Sequence, residues 1–156
     1  MNFIKMFSGK IWLFGILIML IASSCGTDDP ERQAERDRKK ILDYIRTHQL
    51  TAHELESGVF YVINSPGSGS FPTQTSTVSV SYTGKLLSGK VFDTGIAQVF
   101  NLQQTILGFK YGIPMFNKGS KGKLLIPSGL GYGPNGTFSI PPNAVLIFEI
   151  EMIDFN

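Results

Sequence analysis

The chain has one cysteine, one tryptophan and two histidines among 156 residues, and only 17% of its residues are charged. A single cysteine excludes an intrachain disulfide framework and any zinc or iron–sulfur site built from clustered cysteines. Two histidines leave little for a His-built metal centre. None follows His53, so a Ser–His or Cys–His nucleophile has no base in the rest of the chain. A formal charge of +2 argues against a nucleic-acid footprint or an acidic tail. What is plentiful is glycine, 17 residues, which favours a turn-rich, largely β fold. The length suits one compact domain with extensions.

The one long apolar run lies near the start. Lys5 and Lys10 precede residues 11–22 (IWLFGILIMLIA), and small residues then lead to Ala22-Ser23-Ser24-Cys25. The run is too short for a hydrocarbon core of roughly 30 Å, so residues 1–24 read as a signal peptide and not as a membrane span. The arrangement resembles a bacterial lipobox, which implies cleavage before Cys25 and lipidation of that cysteine. Gly26 follows it, so the Asp that retains some lipoproteins at the inner membrane is missing from that position. By resemblance the expected location is the cell envelope, lipid-anchored at the outer membrane. Loss of Lys5 and Lys10 leaves as many acids as bases, and loss of Trp12 leaves no tryptophan.

Residues 25–57 read as a polar spacer and a charged helix. Asp29-Pro30 offers an N-cap and a first-turn proline, and Ile41, Leu42 and Ile45 form a narrow apolar stripe, predicting a helix from about 30 to 48. Its first half, ERQAERDRKK, is charged all round, as expected of a spacer standing in water. Pairing of two chains through Ile41 and Ile45 is the alternative to a monomer. His48 and His53 read as solvated polar residues.

From Gly58 the period becomes two. Residues 59–63 (VFYVI) and 77–83, with Val78, Val80 and Tyr82 in one phase, predict strands. Ser88-Gly89 turns into 90–93, 100–102 reads as a separate short strand, and 123–126 and 145–155 close the set. In the last of these Leu146, Phe148, Ile150 and Met152 share a face. Ile106, Phe109, Ile113 and Phe116 recur at helical spacing. The predicted fold class for 58–156 is α+β, an antiparallel sheet wrapped on one short helix.

Most chemistries fail on inventory. The acids after Gly58 are Asp93, Glu149, Glu151 and Asp154, and the last three lie on the outward phase or at the end of their strand, which disfavours a carboxylate pair. Residues 119–123 (GSKGK) lack the glycine spacing and the Ser or Thr of a phosphate loop. There remains a concentration of aromatic and branched residues around one carboxylate: Tyr82, Phe92, Asp93, Ile106, Phe109, Tyr132, Ile140 and Phe148. Periodicity alone makes these a core. However, Asp93 follows a core-type Phe at a strand end, and Tyr132 sits in a glycine-rich loop where a core aromatic is not required.

Residues 78–93 (VSVSYTGKLLSGKVFD), 105–127 (TILGFKYGIPMFNKGSKGKLLIP), 132–136 (YGPNG) and 139–155 (SIPPNAVLIFEIEMIDF) resemble, in order and spacing, the FKBP-type peptidyl-prolyl isomerases. With the lipobox and helix, the whole chain resembles their lipoprotein forms. The resemblance implies isomerisation of X–Pro bonds in exported polypeptides, with no metal or cofactor, and macrolide inhibitors as further ligands. It implies that Phe109 floors a proline pocket walled by Tyr82, Phe92, Ile140 and Phe148. The Ile106 amide and the Tyr132 hydroxyl would hold substrate carbonyls, and Asp93 would orient Tyr82 and act on the twisted amide. Phe109 stands where Trp is frequent and Thr105 where Val is common, and the 93–100 and 132–140 segments are short. An alternative is a non-catalytic chaperone or assembly factor that grips proline segments in the same pocket. A structural scaffold is a third.

Overall fold

The structure, a computed structural model, describes residues 29–156; the leader, the lipobox and Cys25 lie outside them. Helix α1 spans Pro30–Thr47, capped by the Asp29 carboxylate, which accepts from the Glu31 amide at 3.1 Å. Six strands follow: β1 (His53–Glu54), β2 (Phe60–Ser65), β3 (Thr77–Leu86), β4 (Val91–Asn101), β5 (Lys121–Ile126) and β6 (Leu146–Phe155), with helix α2 (Leu107–Gly112) between β4 and β5. They form one antiparallel sheet in the order β1-β2-β5-β6-β3-β4. The α+β expectation is met.

Alternation decides what each face holds. In β6, Leu146, Phe148, Ile150 and Met152 join Val78 and Val80 of β3 and Leu124 and Ile126 of β5 in the core beneath α2. Gly108 lets that helix lie close to the sheet, because a Cβ there would collide with Ile126. The helix is shorter than the Ile106-to-Phe116 spacing suggests. Pro114 has no N–H to continue the ladder, and the chain passes into a 3₁₀ turn, Ile113–Met115. The predicted strands at 90–93 and 100–102 are one strand, β4, whose register against β3 shifts between Val80 and Tyr82. There Ala97 takes a φ of 48° and donates its N–H to Ser81 Oγ at 3.0 Å.

The opposite face corrects the reading of α1 as a spacer in water. Ile41 is fully buried with Phe60, Val62, Leu125, Val145 and Ile147, and Tyr44 and Ile45 pack against the same group. The stripe weighed as a pairing surface is therefore occupied by the chain's own sheet. Within the charged half, Asp37 is fully buried. Its Oδ2 accepts from Ser128 N at 2.9 Å and Ser128 Oγ at 2.5 Å, and its Oδ1 from Gln33 Nε2 at 2.7 Å. Arg38 makes a two-pronged contact with Glu54, at 2.8 and 2.7 Å. The charges that look all-round in the sequence conceal one face committed to the domain.

The lysines around the 119–123 turn pair with the outward acids of β6: Lys118 with Asp154 at 2.9 Å, Lys121 with Glu151 at 2.9 Å and Lys123 with Glu149 at 2.6 Å. Lys85 reaches Glu149 from the other side at 2.7 Å, and together the two lysines hold the Glu149 carboxyl below its usual range. His48 stacks on Tyr44 and His53 on Tyr61. No helix among the described residues is long and apolar enough to cross a membrane.

Candidate active site

The sheet, α2 and the two loops flanking Ile140 bring the aromatic candidates together. Phe109 enters from the middle of α2 and is 5% exposed. Its ring meets Phe148 edge-on at 4.6 Å between centroids and Tyr82 edge-on at 6.2 Å. Phe92 packs edge-on against Phe148 at 5.5 Å, and Tyr82 tilts against Phe148 at 6.0 Å. Edge-to-face geometry sets the positive ring edge against a negative ring face, so such a cluster is both apolar and orientationally stiff.

Phe100, read in the sequence only as a strand residue, belongs to the same cluster. It lies 5.8 Å from Tyr82 and 6.3 Å from Phe109. Its signal is its pairing phase: across from Phe100 in β3 stands Val78, a core position. That phase is visible only once β4 is recognised as continuous.

One carboxylate meets this apolar surface. The Tyr82 hydroxyl donates to Asp93 Oδ2 at 2.7 Å, while Asp93 Oδ1 accepts the Thr94 amide at 2.9 Å. Burial, then the hydrogen bond and the charge of Asp93, push the Tyr82 phenol from 10.0 up to about 12. Gly95 makes room for this arrangement, since a Cβ there would stand 2.5 Å from the Tyr82 ring.

Tyr132 stands at the rim, 39% exposed, and its hydroxyl has no partner among the described residues. Burial first and the charge of Asp93 second raise its phenol above the ordinary value, and the same carboxylate raises Tyr82. Ile106 is the N-cap of α2, and no acceptor among the described residues takes its N–H. Ile140 is buried in the core cluster, and its backbone exchanges two hydrogen bonds with Thr137, at 2.8 and 3.3 Å. Thr105 turns its hydroxyl onto Leu102 O at 2.9 Å, so it presents a methyl group and no free donor. Among the described residues no group of three His, Cys, Asp or Glu side chains could hold a metal.

An aromatic floor, one carboxylate already engaged by a phenol, and two unengaged donors define a site that binds an amide without attacking it. Nothing in it is a nucleophile paired with a base. The comparisons agree with that class. Residues 68–153 match the family described as FKBP-type peptidyl-prolyl cis-trans isomerase. A probable FKBP-type peptidyl-prolyl cis-trans isomerase of Haemophilus influenzae is 44% identical over 88% of this chain and 59% of its own length. The FKBP-type peptidyl-prolyl cis-trans isomerase FkpA of Aeromonas hydrophila is 36% identical over 79% of this chain and 48% of its own. Among solved structures, a peptidyl-prolyl cis-trans isomerase of Pseudomonas syringae superposes with a TM-score of 0.72 at 33% identity, covering 84% of this chain and 99% of that one. FkpA from Escherichia coli gives 0.69 at 32% identity, covering 81% and 62%. The chain belongs to the FKBP-type peptidyl-prolyl cis-trans isomerase family. It spans about half the length of the two relatives compared by sequence.

Proposed function

We propose that the chain catalyses cis–trans isomerisation of X–Pro bonds in exported polypeptides from a lipid anchor at Cys25. The observation that carries the activity is the Phe109 floor set beside the Tyr82–Asp93 pair and the unengaged Ile106 amide. An X–Pro amide resists rotation by about 18–20 kcal/mol because resonance keeps it planar. When it twists, resonance is lost and the carbonyl dipole shrinks. An apolar aromatic surface therefore favours the twisted amide over the planar one, which water solvates better. The prolyl ring would rest on Phe109 between Tyr82, Phe92, Phe148 and Ile140. The Ile106 N–H and the Tyr132 hydroxyl would hold flanking carbonyls, leaving Asp93 to fix Tyr82 and add a modest electrostatic term. Each tenfold in rate needs only about 1.4 kcal/mol, within reach of two hydrogen bonds and shape.

A protease-coupled assay on an X–Pro tetrapeptide tests this. Turnover that falls in Asp93→Ala supports it. Binding of proline peptides without any acceleration would instead leave a gripping module that uses the same pocket. The anchor and the outer-membrane location rest on the lipobox, and the lipoprotein resemblance supports an exported clientele. Labelling with radioactive palmitate, lost in Cys25→Ala, is the expected result, and unlabelled protein that stays in the aqueous phase on detergent partition would remove the anchor.

A further inference from the structure

Asp37 is the one fully buried acid among the described residues, and the proposed chemistry does not use it. It is also far from the pocket along the chain, on a helix that the catalytic reading does not require. Both of its oxygens are engaged: Oδ2 by the amide and hydroxyl of Ser128, Oδ1 by Gln33 and, at 3.3 Å, by Lys40 Nζ. Ser128 opens the 3₁₀ turn Ser128–Leu130, whose end is closed by a Gly131 N–H to Ser128 O bond of 3.0 Å. The next residue is Tyr132. A second bond, Asn143 N to Gly133 O at 2.9 Å, holds the loop on the other side of Tyr132.

On the α1 side the packing of the loop is incomplete. Beside the Asp37–Ser128 contact an opening of about 460 Å³ lies between helix and loop, lined by Pro30, Gln33 and Ala34 on one wall and Gly129, Leu130 and Pro134 on the other. Leu130 packs against the core on the other side of the loop, but the part of the loop that borders this opening gains little dispersion contact with the helix. On the α1 side the loop is held by the hydrogen bonds of Ser128 to Asp37, and bonds to a buried carboxylate are the strong kind.

We propose that Asp37 is a positioning residue for the isomerase site, fixing through Ser128 the loop that presents the Tyr132 hydroxyl. The claim rests on the isomerase reading above. A helix that looks like a tether thereby sets one of the two substrate-facing donors. Helix docking and catalytic geometry become a single event, and a perturbation of α1 reaches the pocket through a continuous chain of bonds.

The test is a double-mutant cycle on the full chain, read by kcat/KM, with a tyrosine titration followed by NMR beside it. Asp37→Ala is expected to lower kcat/KM about fivefold and Ser128→Ala, which keeps the backbone bond, about twofold. In a Tyr132→Phe background both effects should shrink to less than about 1.5-fold, because the group being positioned is gone. In Asp37→Ala the Tyr132 phenol should titrate at lower pH than in the parent, with Tyr82, to which Tyr132 contributes least of its causes, moving much less. Effects that multiply undiminished with Tyr132→Phe, or a Tyr132 titration unchanged in Asp37→Ala, overturn the proposal. If Asp37→Ala does not fold, Ser128→Ala carries both measurements. If the parent protein shows no turnover, the activity reading fails, and the Tyr132 titration still decides whether Asp37 places that loop.

Discussion

The hydroxyl of Tyr82 on β3 and the carboxylate of Asp93 on β4 are joined at 2.7 Å, across two strands whose register slips between Val80 and Tyr82 and again between Gly84 and Lys85. The pair is thus held between two irregularities that aim both side chains at the aromatic cluster. Replacing Asp93 by Ala removes the acceptor and the charge together. The expected outcome is a kcat/KM lower by about tenfold on X–Pro peptides with the fold intact. Because burial is the largest cause of the raised Tyr82 phenol, its titration should fall below about 12 but remain above 10.0.

The same phenol makes stability depend on alkaline pH. Its folded value lies above its unfolded one, so the folded protein keeps a proton that the unfolded chain releases. The associated stability is fully present below pH 10.0 and is lost as pH rises through about 12. Tyr132, raised in the same sense, adds to the slope. Urea midpoints recorded across that window should decline in the parent protein and decline less steeply in Tyr82→Phe.

Phe109 contacts Tyr82, Phe100 and Phe148 at once. Phe109→Leu keeps an apolar side chain while deleting the flat face. It should cost about 1–3 kcal/mol of stability by chemical denaturation and about tenfold in kcat/KM. A stability loss with unchanged turnover would move the floor of the pocket elsewhere.

Ile41 reports on α1 independently of its charges. It is fully buried among Phe60, Val62, Leu125, Val145 and Ile147. Ile41→Ala should therefore destabilise the whole domain by about 2–5 kcal/mol in one cooperative transition. A free tether would show no change in the midpoint.

Much of the sheet was legible because its strands alternate strictly. Val78 and Val80 in β3, and Leu146 through Met152 at every second place in β6, point where their phase says they should. The Asp29-Pro30 start of α1 was legible for the same local reason. The β4 strand was not, since the Gly95-Ile96-Ala97 stretch bulges and breaks the alternation that would have linked Phe92 to Phe100. The docking of α1 was hidden by charge. Asp37 stands four residues before Ile41, on the same face of the helix, and that spacing was the available clue. The eight pocket residues stand out in the sequence as apolar and aromatic positions around one carboxylate, but periodicity alone makes them a core, and their roles come only from the resemblance. The structure gathers Tyr82, Phe92, Phe109 and Phe148 as rings in contact, sets Ile106 and Ile140 in or against the core, joins Asp93 to Tyr82, and leaves Tyr132 partly exposed within reach of the Asp93 charge.

Strand β6 lies between β5 and β3, and its neighbouring residues serve opposite faces: Ile147 sits under α1 and Phe148 in the aromatic cluster. Its pairing with β3 joins segments from far apart in the chain, Tyr82 with Ile150 and Gly84 with Phe148. Such non-local pairing is slow, because loop-closure entropy is lost before contacts form. No hairpin formed earlier contains both Tyr82 and Phe148, so a chain growing from its N-terminus has no pocket until β6 inserts. The aromatic cluster is thus completed only by the strand whose pairings with β3 reach furthest back along the chain.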